Sequence, residues 1–310
     1  MKLLKLIPDN TSIRFMKHRS WSFPVSLILV LVSIGLFMVN GLNLGIDFRG
    51  GTLIEIKTLD GPADISGIRD VLATLDLGDV QVQEFGSPDD VLIRIQQQDG
   101  GESAQQVVVE LVRDALSENT EFRRVEVVGP RVSGELTQTG ILAVVSALGA
   151  VLIYIWLRFE WQFAVGAVVA TIHDVILTIG MFSILQLEFS LSSIAAVLTI
   201  VGYSLNDTVV VYDRVRENLR KYKRKSIPDV LDMAINDTLS RTALTSITTL
   251  LALIALFVFG GEVIASFTFA MIWGVIIGTY SSIFMAAPLL IFLKLRNIDT
   301  AKNSENVRVT

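Results

Sequence analysis

Residues 163–212 read FAVGAVVATIHDVILTIGMFSILQLEFSLSSIAAVLTIVGYSLNDTVVVY, two long apolar runs separated by the short connection Gln186–Ser190. Each run is close to the ~20 residues that a helix needs to cross a bilayer core, so the stretch predicts two membrane spans joined by a tight turn. The runs nevertheless contain His173, Asp174 and Asp207. Ionisable groups inside a span are rare and are functional candidates by default, so the same stretch also indicates where the chemistry lies.

The chain as a whole is rich in apolar residues and poor in charged ones. Of its 310 residues 51% are apolar and only 18% are charged, and the mean hydropathy is +0.57. A soluble domain carries about 25% charged residues, so the composition excludes an ordinary soluble domain. The chain has no cysteine and two histidines, which excludes disulfides, thiolate metal sites and multi-histidine metal sites. We expect neither a metal nor a cofactor.

The apolar runs predict a polytopic α-helical membrane protein with six transmembrane helices, at residues 21–42, 138–157, 162–185, 191–212, 241–259 and 264–293. The first run ends without an A-x-A type cleavage site, so we expect an uncleaved span rather than a signal peptide. The segments between and around the spans are an N-terminus at 1–20, a domain at 43–137, a loop at 213–240 with an amphipathic helix on the membrane face, and a tail at 294–310.

Basic residues predict the orientation. Residues 1–20 contain five Lys/Arg, residues 212–241 contain eight and the tail contains four, whereas the connections at 186–190 and 260–263 contain none. The positive-inside rule therefore places both termini in the cytoplasm and the domain at 43–137 in the periplasm. That domain has 18 acidic and 8 basic residues, which is most simply a solvated surface. The basic excess flanks the apolar runs, which favours contact with lipid and gives no indication of nucleic-acid binding.

The external domain shows two periodicities in turn. Residues 52–59, 79–85 and 91–97 alternate as half-buried strands do, residues 122–128 close the domain as a further strand, and residues 64–75 and 103–116 have helical spacing. The stretch at 86–90 (GSPDD) predicts a turn. The order β-α-β-β-α-β predicts a ferredoxin-like α+β sandwich. No catalytic or metal-binding pattern stands out in this domain.

Asp207 and Arg241 are predicted to lie at a similar depth. Asp207 is six residues past the centre of its span and Arg241 nine before the centre of the next, or about 9 and 13 Å toward the cytoplasm. Three interpretations remain open: Arg241 extends to the interface as an anchor, the two form a fixed ion pair, or they form a protonation switch. Asn206 and the threonines on the helical face of Arg241, in particular Thr245 and Thr248, are predicted to line such a relay.

His173 and Asp174 are further relay candidates. Adjacent helix positions diverge by about 100°, so we expect the two side chains on different faces, with His173 bridging helices and Asp174 the stronger candidate. Enzymatic alternatives fail on geometry. Asp207 and Asp213 lie about 240° apart on one helix, which does not suit a paired-carboxylate protease, and no G-x-S-x-G motif occurs. We therefore expect no enzymatic activity.

Two glycine motifs predict close backbone geometry. Residues 45–51 (GIDFRGG) follow the first span, and their glycines favour a tight exit turn. We predict a hinge formed by Gly45, Asp47, Gly50 and Gly51. Within this motif Asp47 and Arg49 are expected to pair locally. The G-x-x-x-G at 274–278 favours close helix association.

Several of these stretches together resemble the SecD/SecF family of bacterial protein-export membrane proteins, within the resistance-nodulation-division superfamily. They are GIDFRGG at 45–51, the His173-Asp174 pair, GYSLNDTVVVYDRVRENL at 202–219, SRTALTSITTLLA at 240–252 and GTYSS at 278–282. The resemblance implies an inner-membrane location and a SecD partner with a similar six-span half. It also implies use of the proton-motive force to help unfolded polypeptides leave the SecYEG channel, beside other Sec accessory subunits. Asp207 and Arg241 occupy the positions of the family's membrane-embedded acid and arginine.

Other functions stay open from sequence alone. A transporter half of the same superfamily would usually belong to a chain with twelve spans and two large external domains, which this chain lacks. A scaffold that only docks SecD to the channel would hold Asp207 and Arg241 as a fixed bridge. Coupling to sodium rather than to protons is a further alternative.

Overall fold

The computed structural model describes residues 11–293 and residue 295. The helices in this part of the chain are α1 Arg19–Asn40, α2 Ile46–Arg49, α3 Ile65–Ala73, α4 Glu102–Leu116, α5 Pro130–Arg158, α6 Trp161–Leu185, α7 Leu191–Lys221, α8 Ile227–Phe259, α9 Ala265–Ser281 and α10 Ala287–Phe292. The strands are β1 Asn43–Leu44, β2 Gly51–Thr58, β3 Val80–Phe85, β4 Ser87–Ile95, β5 Thr120–Val128 and β6 Glu188–Phe189.

Within the described residues, six helical segments are long and apolar enough to cross a membrane, which confirms the predicted six-helix membrane fold. They are Phe15–Asn40, Arg131–Arg158, Trp161–Leu185, Leu191–Lys221, Ile227–Phe259 and Ala265–Phe292. The last consists of α9 and α10 joined by a π-helical turn at Ser282–Ala286. We call the end of the bundle that adjoins the external domain the domain side, and the end with the connection between α7 and α8 the loop side.

Helices α7 and α9 approach each other closely in the middle of the bundle. A Cβ atom on Gly274 would lie 2.2 Å from Ile200 Cγ1, and one on Gly278 would lie 3.1 Å from Ser204 Cβ. Only glycine permits this approach, because any larger residue at Gly274 would overlap Ile200. The G-x-x-x-G motif therefore acts in helix association, as predicted.

The loop side differs from the prediction. The segment predicted as a separate amphipathic helix on the membrane face is the first part of α8, and its Val230, Leu231, Ala234 and Ile235 are at most 1% exposed. The N-terminal segment covers it: the Met16 N–H donates to Asp232 Oδ1 at 2.8 Å. An apolar helix face that a neighbouring segment can cover is more stable inside the protein than at the membrane surface.

The external domain contains β2, α3, β3, β4, α4 and β5, and its four strands form one sheet in the order β3-β4-β2-β5. Strand β4 is antiparallel to both β2 and β3, and β5 is antiparallel to β2. This is the predicted ferredoxin-like topology, in which the third strand of the domain lies between the first two. Its core includes Ile54, Leu72, Ile93 and Val112, each completely or almost completely buried.

The predicted turn at 86–90 is shorter in the structure. Strand β4 begins at Ser87, and the register shifts at the corner where Phe85 pairs with Ser87. Pro88 near the start of the strand is compatible with this, since proline is tolerated at strand ends. Two hydrophilic residues, Asp89 and Asp90, therefore belong to a strand and not to a loop.

Candidate functional site

A buried carboxylate, Asp174 of α6, lies at the centre of the bundle. It is 0% exposed. Ser204 Oγ of α7 and Ser281 Oγ of α9 both donate hydrogen bonds to Asp174 Oδ2, at 2.5 and 2.7 Å. Three helices therefore meet on one carboxylate, and the hydroxyl donors offset part of the cost of burying it.

His173 completes this cluster, contrary to the prediction that it faces away from Asp174. Its Nδ1 lies 2.9 Å from Asp174 Oδ1. The 100° between adjacent helix positions separates their Cβ atoms but does not prevent two bent side chains from meeting. The other ring nitrogen, Nε2, is buried without a hydrogen-bond partner among the described residues. An imidazole with one bonded and one free nitrogen is suited to passing a proton.

Next to the His173 ring a further polar chain extends toward α1. The Tyr280 ring lies 6.3 Å from it, centroid to centroid, and Tyr280 Oη is 2.9 Å from Ser26 Oγ. Neither residue was predicted. For Tyr280 the available signal was the run of small and hydroxyl residues in the GTYSS stretch at 278–282, whereas Ser26 lies in an apolar span without such a signal.

Asp207 of α7 is also buried, at 3% exposure. Its Oδ2 has no hydrogen-bond partner within the described part of the chain. The charge of Arg241 in α8 acts on it electrostatically, but no hydrogen bond or ion pair between these two side chains is present in the described residues. The structure thus brings Asp207 and Arg241 into the same region without joining them. Arg241 itself is exposed on the outer surface of the bundle.

The predicted lining residues lie in different environments. Asn206 and Thr248 are exposed, and Thr245 is half-buried. The hydroxyls of Thr245 and Thr248 donate to carbonyls of their own helix, at 2.9 and 2.8 Å. Among the hydrogen bonds of the described residues, none joins either threonine to Asp207, so their role as lining residues stays a prediction.

A second polar cluster on α8 was not predicted. Ser246 Oγ lies 2.8 Å from Thr279 Oγ1 of α9, and Tyr203 Oη of α7 donates to Ser246 Oγ at 3.3 Å. One turn earlier, Thr242 is 3% exposed and its Oγ1 lacks a partner among the described residues. The i, i+4 spacing of Thr242 and Ser246 was the available signal. The threonines that were predicted to line the relay, Thr245 and Thr248, lie instead on the neighbouring face of α8, where Arg241 is exposed.

The GIDFRGG motif joins the external domain to the membrane helices. Gly50 and Gly51 have φ angles of +70° and +113°, and a Cβ atom on Gly51 would lie 2.4 Å from the Ile95 carbonyl oxygen. Glycine is required at that position both for the backbone conformation and for the close approach. Whether the motif acts as a hinge stays a prediction.

The sequence predicted that Asp47 of this motif pairs with Arg49, but in the structure Asp47 has a different partner. The Leu191 N–H, at the start of α7, donates to Asp47 Oδ2 at 2.8 Å, and Arg49 is exposed. No ion pair between Asp47 and Arg49 exists among the residues that the structure describes. A carboxylate at a helix N-terminus satisfies a free N–H group and complements the helix dipole, which makes α7 the better partner.

Two further contacts attach the segment that leads into α7, one to the strand that follows α1 and one to the external domain. Strand β1 pairs in parallel with β6, with Asn43 opposite Glu188. Arg94 of β4 donates to Glu188 Oε2 at 2.5 Å, and its side chain is 12% exposed. The helix that carries Asp207 is therefore attached at its domain-side end to both the motif and the sheet.

The fold and the site define a class of protein: a six-helix membrane protein with two buried carboxylates in its bundle and a small α+β domain fixed to one of the helices that carry them. A family model described as protein export membrane protein SecD/SecF, C-terminal, matches residues 107–296. A second, described as the SecD/SecF GG motif, matches residues 35–58. The chain belongs to the SecD/SecF family.

Individual proteins of this family are similar to the chain over most of its length. The chain is 45% identical to the protein translocase subunit SecF of Rhodobacter capsulatus, over 94% of this chain and 92% of that protein. It is 46% identical to the protein translocase subunit SecDF of Brucella abortus, over 96% of this chain. The chain spans 39% of the length of that SecDF relative.

Solved structures show the same architecture. The crystal structure of SecDF from Thermus thermophilus, described as a translocon-associated membrane protein, matches with a TM-score of 0.83 and 33% identity, over 94% of this chain and 40% of that one. A structure of SecDF in a super-membrane-facing form matches with a TM-score of 0.69 and 32% identity, over 95% of this chain and 40% of that one.

Proposed function

We propose that this chain works with a SecD subunit in a complex that uses the proton-motive force to help unfolded polypeptides leave the SecYEG channel on the periplasmic side. The observation that carries the proposal is the Asp207 carboxylate, which is buried in a membrane span and has one oxygen without a partner in the described structure. A charged residue in a span costs about 2.5–3.5 kcal/mol on insertion scales. A cost of this size favours a functional role for the buried Asp207 carboxylate.

A second protein covers the outer face beside Asp207. Asn206 and Arg241 are exposed there, and hydrocarbon cannot solvate their polar groups. A SecD half with its own six spans is the natural occupant. In its support, the Brucella and Thermus relatives named SecDF are longer chains of which this one matches 39% and 40%.

The orientation follows from charge. The terminal segments and residues 212–241 have an excess of basic residues, and the external domain has an excess of acidic residues. Both termini and the loop side are therefore cytoplasmic and the external domain is periplasmic. The membrane is the bacterial inner membrane. On the periplasmic side the domain is positioned to act on polypeptide as it emerges from the channel, beside the other accessory subunits of the export machinery.

Protonation of Asp207 is the driving step. A carboxylate isolated in a low-dielectric site holds a proton, and the approach of the Arg241 guanidinium favours the charged form. Alternation between these states exposes the proton first to one side and then to the other. Asp174 and His173 form a second proton-binding site of the relay, because His173 Nε2, which has no partner in the described structure, can accept or donate a proton. The proton gradient supplies the energy, so the function involves no cofactor and no enzymatic reaction.

Helix α7 carries the movement outward. Asp207 lies sixteen residues after Leu191, or about 24 Å along the helix axis. Leu191 is bonded to Asp47, which is followed within a few residues by Gly50 and Gly51 at the start of the sheet. A shift of α7 is therefore transmitted directly to the external domain. One charge crossing 100 mV supplies about 2.3 kcal/mol, so a few protons suffice to move a domain that is attached this way.

The test is export into inside-out vesicles that contain this chain, SecD and SecYEG, with ATP exhausted midway through translocation. A proton gradient or a sodium gradient is then imposed. We compare wild type with Asp207→Asn, and with Asp213→Asn as a matched control. Asp213 lies six residues further along α7, is exposed and is paired with Arg158 at 3.1 Å.

We expect the proton gradient to complete export in wild type and in Asp213→Asn, and not in Asp207→Asn. If Asp207→Asn completes export as well as wild type does, the acid is structural and the chain is a scaffold. If only the sodium gradient drives export, the site is retained but the coupling ion is sodium.

A further inference from the structure

We propose that the loop side of the bundle binds an anionic phospholipid between α5 and α7, with its phosphate in a basic cavity and an acyl chain in an adjoining apolar groove. This inference rests on residues that the proposed export function does not use.

The basic cavity lies where α5 ends and the last turns of α7 extend past it. It has a volume of about 630 Å³ and is lined by Arg158, Asp213, Arg216, Glu217, Arg220 and Lys221. Four of these side chains are cationic and two are acidic, so two positive charges are in excess. The cavity therefore favours an anion.

Pairing within the cavity leaves its far end without acidic partners. Asp213 is shared between Arg158, at 3.1 Å, and Arg216, at 3.9 Å. Glu217 is held by Arg214, which does not line the cavity, at 2.6 Å. Arg220 forms no ion pair among the described residues. The excess charge is thus concentrated toward Arg220 and Lys221.

An aromatic ring holds two of the cations in place. The guanidinium carbons of Arg158 and Arg216 lie 5.0 and 5.4 Å from the centroid of the Phe159 ring. Phe159 is 5% exposed, so it cannot move freely. Cations that are fixed before a ligand arrives lose little conformational entropy on binding.

The apolar groove begins one helical turn from the cavity. It has a volume of about 110 Å³, and its lining includes Val151, Leu152 and Ile155 of α5, Val168 and Ile172 of α6, and Leu205 of α7. Ile155 is three residues before Arg158, or about 4.5 Å along the helix. The polar group in the groove, Thr171, donates to the Ala167 carbonyl at 2.9 Å and needs no other partner.

The combination identifies a lipid and not a free anion. The groove opens toward the bilayer at Leu152 of α5 and Ile172 of α6, two of its lining residues, which are 38% and 49% exposed. A phospholipid headgroup at the membrane surface and its chain inside the bilayer are separated in the same way as the cavity and the groove. Basic pockets of this kind between membrane helices bind anionic headgroups.

The experiment measures binding of phosphatidylglycerol to the delipidated full chain in detergent by native mass spectrometry, with phosphatidylethanolamine and inorganic phosphate as comparison ligands. The headgroup variant is Arg216→Gln with Arg220→Gln. Its control is Lys223→Gln with Arg224→Gln, which removes the same charge from the next connection, outside the cavity. The groove variant is Val168→Phe, and its control is Val169→Phe on the neighbouring, exposed position of α6.

We expect the headgroup variant to bind phosphatidylglycerol about 30-fold more weakly, since each cation near the surface contributes about 1 kcal/mol. Val168→Phe should also weaken binding, and both controls should bind as wild type does. Equal losses in the headgroup variant and its control would mean a general surface charge and would overturn the proposal. So would equal binding of phosphatidylethanolamine, or displacement of the lipid by inorganic phosphate.

Discussion

The Leu191 N–H donates a hydrogen bond to Asp47 Oδ2 at 2.8 Å, across 144 residues of sequence. This bond places the carboxylate of the external motif at the N-terminus of α7, the helix that carries Asp207. The capping residue of a helix is usually its immediate neighbour in sequence. Here Ser190 provides a capping box as well, and Asp47 adds a bond from another part of the chain. The end of α7 is consequently coupled to the external domain.

We predict that Asp47→Ala loosens the start of α7. Loss of a capping carboxylate costs about 1 kcal/mol, so the first turn should open about fivefold more often. Hydrogen exchange by mass spectrometry on peptides that cover residues 187–195 measures this. Arg49→Ala, an exposed residue of the same motif, is the control and should leave exchange unchanged. Unchanged exchange in Asp47→Ala would show that the Ser190 capping box suffices alone.

We predict that the two serines around Asp174 stabilise the bundle. Ser204 and Ser281 donate to the same carboxylate oxygen, and a hydrogen bond to a charged group contributes about 1.5–3 kcal/mol. Ser204→Ala and Ser281→Ala should each lower the melting temperature of the purified protein. Thr199→Ala on α7 is the control, because Thr199 is exposed and its hydroxyl donates to the Ala195 carbonyl of its own helix. If the serine variants have the same melting temperature as Thr199→Ala, Asp174 is neutral and needs no hydrogen-bond donors.

We predict that Gly274→Ala separates α9 from α7. Its Cβ atom would meet Ile200 Cγ1 at 2.2 Å, and overpacking of this kind costs about 1–3 kcal/mol. The melting temperature should fall, and adding Ile200→Ala should restore part of it. Gly202→Ala is the matched control, since no atom lies within 4 Å of its Cβ position. A double variant less stable than Gly274→Ala alone would contradict the steric explanation.

We predict an acid-sensitive contact in the external domain. The hydrogen bond from Lys57, assisted by Ser87, lowers the pKa of Asp89 from 3.8 to about 2, and the Lys57 Nζ–Asp89 Oδ2 distance is 2.7 Å. Because the folded pKa is the lower one, the contact stabilises the fold fully above pH 4 and is lost as the pH falls toward 2. Hydrogen exchange in β2 and β4 should therefore rise in wild type over this range.

Asp89→Asn should already show the higher exchange at pH 5 and change little on further acidification, after correction for the intrinsic exchange rate. Asp60→Asn, which changes an exposed acid two residues after the end of β2, should behave as wild type does. Parallel behaviour of wild type and Asp89→Asn between pH 5 and pH 2 would contradict the assignment of the contact.

Much of the architecture was accessible from sequence because it depends on local patterns. Long apolar runs define spans regardless of what surrounds them, and alternation in the external domain defined its strands. The boundaries on the loop side were not accessible in this way. Helix α8 begins at Ile227 and not near residue 241, because its first turns are stabilised by the N-terminal segment, which lies far away in sequence.

The functional site, like the fold, was predictable from sequence only in part. Sequence alone was enough to select Asp174, His173 and Asp207 as candidates, since an ionisable group in a span is rare whatever its neighbours are. Only the tertiary structure decided what each group contacts: Asp174 meets His173 and two serines, Asp207 keeps an oxygen without a partner, and Asp47 bonds α7 and not Arg49. The physical reason is that hydropathy is a property of the residue, whereas a hydrogen bond depends on the positions of two groups that the fold brings within about 3 Å.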